Sequence, residues 1–294
     1  MRLFKLIFLH IIVLLCSESY AQAPELEVRW LGGPSMELHF DGLTILTDPM
    51  LGEGDQAFLM ADPNEMFDLT VGPNVRYHKR ITQLPNVDLT QTDLVLLSHA
   101  HEDHFDQQAH KQLQKDILMV LPTDDQEKIG KLGFTNLDAM APGDKREYKT
   151  RHGKVTITAV PADHTLNKDL ESILGHGLGF YIVFQQGSWQ RSLYWTGDSM
   201  PSERVINFVQ SLGPIDILVP NMGKVGTSGP LGQISMAAKD VLTLVKALSI
   251  TKVLPIHHST YELYLEPISV LVELMQKNAT GLDLISEGST AVYQ

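Results

Sequence analysis

The chain has 294 residues, 43% of them hydrophobic, and its 35 acidic against 23 basic side chains give a net charge of −12. That balance gives no support for nucleic-acid binding, which needs a basic surface. The single cysteine, Cys16, excludes a disulfide framework and a multi-thiolate metal site.

Residues 1–21 follow the pattern of a secretory signal: Arg2 and Lys5, an apolar run over 6–15, then the small-x-small site Ser19-Tyr20-Ala21. The run is too short for a permanent membrane span. The sequence therefore predicts cleavage near Ala21 and an exported product, periplasmic or secreted, that no longer contains Cys16. Residues 22–294 suffice for one large domain, and no linker, repeat or low-complexity tract divides them.

Strands are predicted over 25–31, 36–40 and 43–47, with Asp41-Gly42 as a tight hairpin turn. Residues 49–93, rich in Pro, Asn, Asp and Gly, lack strong periodicity and read either as a loop covering a substrate or as a plain surface excursion. The apolar run 94–98 is a buried strand. A helix over 107–115, a strand over 117–121 and a helix over 124–132 come next. Further strands are predicted at 154–160, 179–185 and 193–196, then a helix opening at Pro201 and running to Leu212. A strand at 215–219, a helix at 235–248, a strand at 252–256 and a helix at 266–277 complete the chain. Strands first, then strands interleaved with helices, point to sheets covered by helices, hence α/β or α+β.

The most informative residues directly follow the 94–98 run: His99-Ala100-His101-Glu102-Asp103-His104. Imidazoles and carboxylates suit zinc, iron or manganese where no thiolate is present. His99 and His101 alternate and converge on one ion from a turn, whereas Asp103 and His104 point towards a second, an arrangement that suits two-metal hydrolysis. More ligands are needed than one hexapeptide supplies. Three further strand ends carry them: Asp163-His164 after 154–160, Asp198 after 193–196, and His257-His258 after 252–256. Any one alone reads as structural; together they point to a shared site at one sheet edge.

On this set the chain resembles the metallo-β-lactamase-fold hydrolases, from about Val28 to the C-terminus. The resemblance implies a four-layer αββα sandwich in which His99, His101 and His164 hold one divalent ion, Asp103, His104 and His257 hold a second, and Asp198 bridges them. Zinc is the expected ion, with manganese and iron as alternatives. It implies a metal-bridging hydroxide as nucleophile, with Asp103 or Asp198 taking its proton. Trp30-Leu31-Gly32, Thr47-Asp48-Pro49, Leu97-Ser98-His99 and Pro255-Ile256-His257 with Thr260-Tyr261 are similar to the branch containing L-ascorbate-6-phosphate lactonase and N-acyl-phosphatidylethanolamine phospholipase D. That branch suggests a phosphodiester or phospholipid-like substrate. Hydrolysis of lactone, lactam or other acyl bonds is the second reading, and a non-catalytic binding protein the third. Lactamases with a cysteine ligand are excluded.

Asp48 reads as a support for the metal loops or as a turn-forming Asp before proline. His176, between Gly175 and Gly177 in the stretch after His164, reads as a substrate contact or as an ordinary loop histidine. Lys224 is a candidate for an anionic group or a plain surface lysine, and Tyr261 a leaving-group donor or a packing residue. Phe58, Leu59, Met60, Met66 and Phe67 form an apolar entrance for a lipid or pack inward.

Overall fold

The computed structural model describes residues 23–294; the signal-peptide reading of 1–21 lies outside these residues. Two seven-stranded sheets form the centre. The first holds β1 (Leu26–Gly32), β2 (Ser35–Phe40), β3 (Leu43–Thr47), β6 (Leu94–Leu96), β7 (Leu118–Pro122), β8 (Leu137–Met140) and the last strand, β16 (Thr290–Tyr293). Its order is β16-β1-β2-β3-β6-β7-β8. The chain therefore returns at its end to pair with its beginning, Leu26 opposite Tyr293 and Arg29 opposite Thr290. The second sheet holds β9 (Lys145–Lys149), β10 (Lys154–Ala162), β11 (Gly177–Gln186), β12 (Trp189–Trp195), β13 (Ile217–Val219), β14 (Lys252–Val253) and β15 (Gly281–Leu282), in the order β15-β14-β13-β12-β11-β10-β9. Each sheet is antiparallel on one side and parallel on the other: β3, β6, β7 and β8 run parallel, as do β12 to β15.

The period-2 alternation of the strands decides the layering. In β6, Leu94 and Leu96 face the space between the sheets while Val95 faces outward. In β11 and β12, Phe180, Ile182, Leu193 and Trp195 face inward, whereas Tyr181 and Tyr194 face out. The inner layer is continuous apolar packing; truncating a buried aromatic such as Phe180 there is expected to cost about 3–5 kcal/mol. On the outer face of the first sheet lie α1 (Gln107–Gln112) and α2 (Gln126–Lys131), and on that of the second lie α4 (Glu203–Leu212), α5 (Ala238–Ala247) and α6 (Ser269–Lys277). A short α3 (Glu171–Leu174) sits between β10 and β11. The result is an αββα sandwich.

Several elements differ from the sequence expectation for identifiable reasons. Residues 49–93 are not a structureless loop: β4 (Phe58–Ala61) and β5 (Val75–His78) pair as an antiparallel hairpin. Four-residue strands are too short to register as periodicity. The segment's apolar residues divide: Phe58 is buried against His78 and Tyr261, Met60 and Phe67 pack partly buried beside it, and Leu59 and Met66 remain exposed. The helix expected from Pro201 begins at Glu203, because the Ser202 hydroxyl accepts from the Val205 N–H and caps it there. The 235–248 helix begins only at Ala238, since the Ser235 hydroxyl accepts from the Val225 N–H and holds that stretch extended. β9 was not expected, being a polar edge strand whose residues are exposed or half-buried throughout. The hairpin turn at Asp41-Gly42 forms as expected, with φ of 45° and 84°.

Candidate metal centre

The ligand-type residues cluster because the strands stop. After β6, Leu97 still donates its N–H to Val120, but the chain then turns, and the N–H groups of His104 and Phe105 both donate to the His101 carbonyl. Asp106 then caps α1, its Oδ1 accepting from the Gln108 and Ala109 N–H groups and its Oδ2 from Gly52. The hexapeptide is thus clamped between a buried strand and a capped helix. His164 follows β10, and Asp198 follows β12 through Gly197, where a Cβ would lie 2.5 Å from the Leu178 carbonyl and φ is +53°. His257 follows the bridge between Ile256 and Asn221.

Two donor groups match the expected sets, His99, His101 and His164 in one and Asp103, His104, Asp198 and His257 in the other, and Asp48 with His99 and His104 forms a third that overlaps both; the ligand-type atoms within each lie within 4.8 Å of one another. In the first, His99 Nε2 and His164 Nε2 face each other at 3.0 Å. The tautomers are set from behind. His164 Nδ1 donates to the Ile234 carbonyl at 3.1 Å. His99 Nδ1 donates to the Ser98 hydroxyl at 2.9 Å, which in turn donates to Asp48 at 2.5 Å. Both Nε2 atoms therefore present lone pairs to each other, an arrangement that a cation between them resolves. Burial keeps these imidazoles neutral, pushing His101 and His164 down to about 4 and His99 well below its usual range, with the neighbouring imidazoles adding to the effect.

The second group is charged and fully buried. His104 Nδ1 donates to Asp48 at 2.6 Å, and its Nε2 stands 3.3 Å from Asp198. His257 Nδ1 donates to the Met222 carbonyl at 2.6 Å, and the two rings stack with centroids 5.0 Å apart. The Nε2 atom of His257 is buried with no hydrogen-bond partner, and that of His104 faces only the Asp198 carboxylate. An unpaired buried nitrogen costs about 1–3 kcal/mol, which ligation of a metal would relieve. Burial alone would pull His104 down, but Asp198, Asp103 and Asp48 outweigh it and hold its pKa well above the usual value. Burial likewise pushes Asp198 up, yet His104 and His257 hold it far below the carboxylate range. Asp198 is further fixed by Asn221, whose Nδ2 donates to it at 3.0 Å while its Oδ1 accepts from Trp195 Nε1.

Asp48 is the common anchor: its carboxylate accepts from His104, from the Ser98 hydroxyl and from the Ser98 N–H at 2.7 Å. Both Asp48 (φ +31°) and His257 (φ +60°) hold left-handed backbone. Such strain costs about 1–3 kcal/mol per residue and persists where surrounding bonds impose it.

The remaining sequence candidates lie elsewhere. His176 is exposed, 3.7 Å from Glu171, and Lys224 is half-exposed, 3.6 Å from Glu266. Tyr261 is buried, its hydroxyl accepting from Arg80 at 3.3 Å and its ring edge-on to Phe58. Asp163 accepts from the Ser202 hydroxyl and pairs with Arg204, and His258 packs on Trp30. Two residues near the clusters escaped the sequence reading. Asn221 had a visible signal, standing at the end of the 215–219 apolar run like the other ligands. Tyr264 had none. Its ring lies 4.6 Å from that of His257, its hydroxyl is shielded without a partner, and burial, Tyr261, Asp103 and Asp198 keep it protonated.

Residues 27–257 match the Beta-lactamase superfamily domain. The chain belongs to this superfamily. It is 26% identical over 274 residues to a UPF0173 metal-dependent hydrolase of Thermodesulfovibrio yellowstonii, covering 87% of this chain and 86% of that one. It is 25% identical over 262 residues to an N-acyl-phosphatidylethanolamine-hydrolyzing phospholipase D of Caenorhabditis elegans, covering 84% of this chain and 68% of that protein. Against two further curated relatives it spans only 65% and 28% of their length. The crystal structure of an isothiocyanate hydrolase from Delia radicum gut bacteria shares the fold, with a TM-score of 0.70 at 23% identity over 91% of this chain and 98% of that one. Relatives of this chain are named metal-dependent hydrolases, and its own His/Asp clusters are suited to hold a metal.

Proposed function

We propose that the protein is an exported hydrolase that holds two divalent ions, zinc foremost, and cleaves a phosphodiester or phospholipid-like substrate. The observation that carries this reading is the pair of adjoining donor groups, in which the Nδ1 hydrogen bonds of His99, His164 and His257 leave their Nε2 lone pairs free and His104 stands against the Asp198 carboxylate. His99, His101 and His164 would hold one ion, and Asp103, His104, Asp198 and His257 the other. Support for the substrate class comes from the resemblance to the phospholipase D branch, together with the match over 84% of the chain to the nematode protein of that name. Arg2, Lys5, the 6–15 apolar run and Ser19-Tyr20-Ala21 support export.

When bound, such ions acidify a water and polarise the attacked oxygen. The chain supplies the rest. Asp103 or Asp198 accepts the proton released as water attacks. Asn221 keeps the Asp198 carboxylate in place. Asp48 orients one imidazole in each group, and the buried walls around the second group exclude bulk water.

The test is hydrolysis of bis(p-nitrophenyl) phosphate by zinc- or manganese-loaded protein against a chelated control. Chelator-sensitive turnover supports the phosphodiester reading and leads to phospholipid substrates. Inert protein shown to hold two metals overturns it in favour of lactone and other acyl substrates. N-terminal sequencing of the exported product, expected to begin at Gln22, tests the export reading.

A further inference from the structure

Three tyrosine hydroxyls among the described residues are buried without a hydrogen-bond partner: Tyr148, Tyr194 and Tyr264. The first two belong to the packing of the sheets, Tyr148 against the inner layer and Tyr194 on the outer face under the helices. Tyr264 differs because its ring stands against a residue of the second donor group, 4.6 Å from His257, and because Asp103 and Asp198 lie within electrostatic reach of its hydroxyl.

The chain is built around this side chain. The Tyr264 N–H donates to the Tyr261 carbonyl, and the N–H groups of Leu265 and Glu266 both donate to the Gly223 carbonyl, which pins the segment against the loop before His257. Two glycines leave room for the ring: a Cβ on Gly223 would lie 2.8 Å from Tyr264 Cδ1, and one on Gly33 would lie 3.2 Å from the Tyr264 hydroxyl oxygen. Gly33 also accepts the His257 N–H at 2.8 Å, so one backbone turn positions both the candidate ligand and the tyrosine. A phenol that is fixed, shielded and unpartnered beside a hydrolytic centre is a donor awaiting an acceptor.

We infer that the Tyr264 hydroxyl donates a hydrogen bond to the non-bridging oxygen of the substrate's phosphoryl group at the second donor group. The inference rests on the phosphodiester reading for the identity of that oxygen. No bond is made or broken by the tyrosine; it binds the oxygen on which negative charge accumulates.

The test is Tyr264→Phe in the zinc-loaded protein, which keeps the ring against His257 and removes only the donor. Metal content and thermal midpoint are expected to match the parent. Inorganic phosphate, titrated calorimetrically, is expected to bind about 10-fold more weakly. The kcat/KM for bis(p-nitrophenyl) phosphate is expected to fall about 10- to 100-fold, by the same factor for aryl phosphodiesters with better and poorer leaving groups. Unchanged phosphate affinity overturns the inference. So does a loss that grows with leaving-group basicity, which would place the donor on the departing oxygen, and so does a loss of metal, which would make Tyr264 a support for His257. The two readings fail separately. Parent protein inert towards the phosphodiester, with phosphate binding still weakened by Tyr264→Phe, rejects the substrate and keeps the tyrosine's role. Turnover unaffected by the substitution does the reverse.

Discussion

The two donor groups meet at one sheet edge yet differ in charge and in exposure. The first is three imidazoles kept neutral by burial, one of which, His101, remains partly exposed. The second sets two carboxylates against two imidazoles, all four buried. Neutral nitrogen donors bring no net attraction for a cation and lose their lone pairs to protons in acid. Buried carboxylates attract a cation strongly and have few competitors. The second group should therefore hold its ion more tightly, and the first should empty first under chelation.

The largest effect should come from the exposed end of the weaker group. His101→Ala is expected to lower turnover by about 1,000-fold or more and to remove metal, measured by activity and elemental analysis on one sample. Full activity with normal metal content would break the assignment of this group. Acid should act next. His101 and His164 titrate at about 4 in the folded protein against 6.5 unfolded. Between those values the unfolded chain binds more protons, so the stability they contribute is present above pH 6.5 and lost as pH falls towards 4. His104 has the opposite sign: its raised pKa contributes stability below pH 6.5, which is lost only as pH rises through its folded value. In the window from 6.5 to 4 it is protonated in both states and offsets nothing. Asp106 and Asp125, raised to about 6 by burial, act the other way and offset part of the loss, whereas His99 and His258 reinforce it, so the thermal midpoint of the metal-free protein is expected to drop by roughly 5–10 °C across that window. A flat profile would mean that the first group is not buried and neutral.

Asp48 separates the groups more finely. Asp48→Asn is expected to weaken metal retention about 10- to 100-fold in both groups, because the carboxylate fixes His104 directly and His99 through Ser98. Ser98→Ala should weaken the first group more than the second, and by less than Asp48→Asn, because the Ser98 hydroxyl meets His99 directly and lies farther from His104; competition with a graded chelator series resolves the two. The smallest change belongs to the surface pairs. Lys224→Ala and His176→Ala are each expected to alter kcat/KM by less than about threefold, as exposed ion pairs contribute little. A tenfold rise in KM for either would place it at the substrate after all.

What the sequence made legible was whatever depended on local order. Apolar runs ending in His or Asp marked the ends of β6, β10 and β12, and the ligand-type residues were readable there because a strand that emerges from a core must stop in a polar loop. The Asp41-Gly42 turn was readable for the same reason. What depended on distant partners was not. β9 alternates between exposed and half-buried polar residues and is a strand only because β10 offers it an edge. Phe58 and Leu59 are adjacent apolar residues, but only the structure shows Phe58 packed on Tyr261 and Leu59 facing solvent. Tyr264 lies three residues from Tyr261 with the same side chain; Arg80 approaches one hydroxyl and no partner approaches the other.

The pairing of β1 with β16 has a consequence for how the molecule comes into being. β1 finds β2 close by in the sequence, but its other neighbour, β16, lies far along the chain, and His257 also comes well after the hexapeptide. Contacts of such long sequence separation make closure slow, because the entropy of bringing the ends together is spent before any pairing repays it. Until then the outer edge of β1 is an open template for another chain. β16 thus closes one edge of the sheet from which, at the end of β6, the hexapeptide emerges.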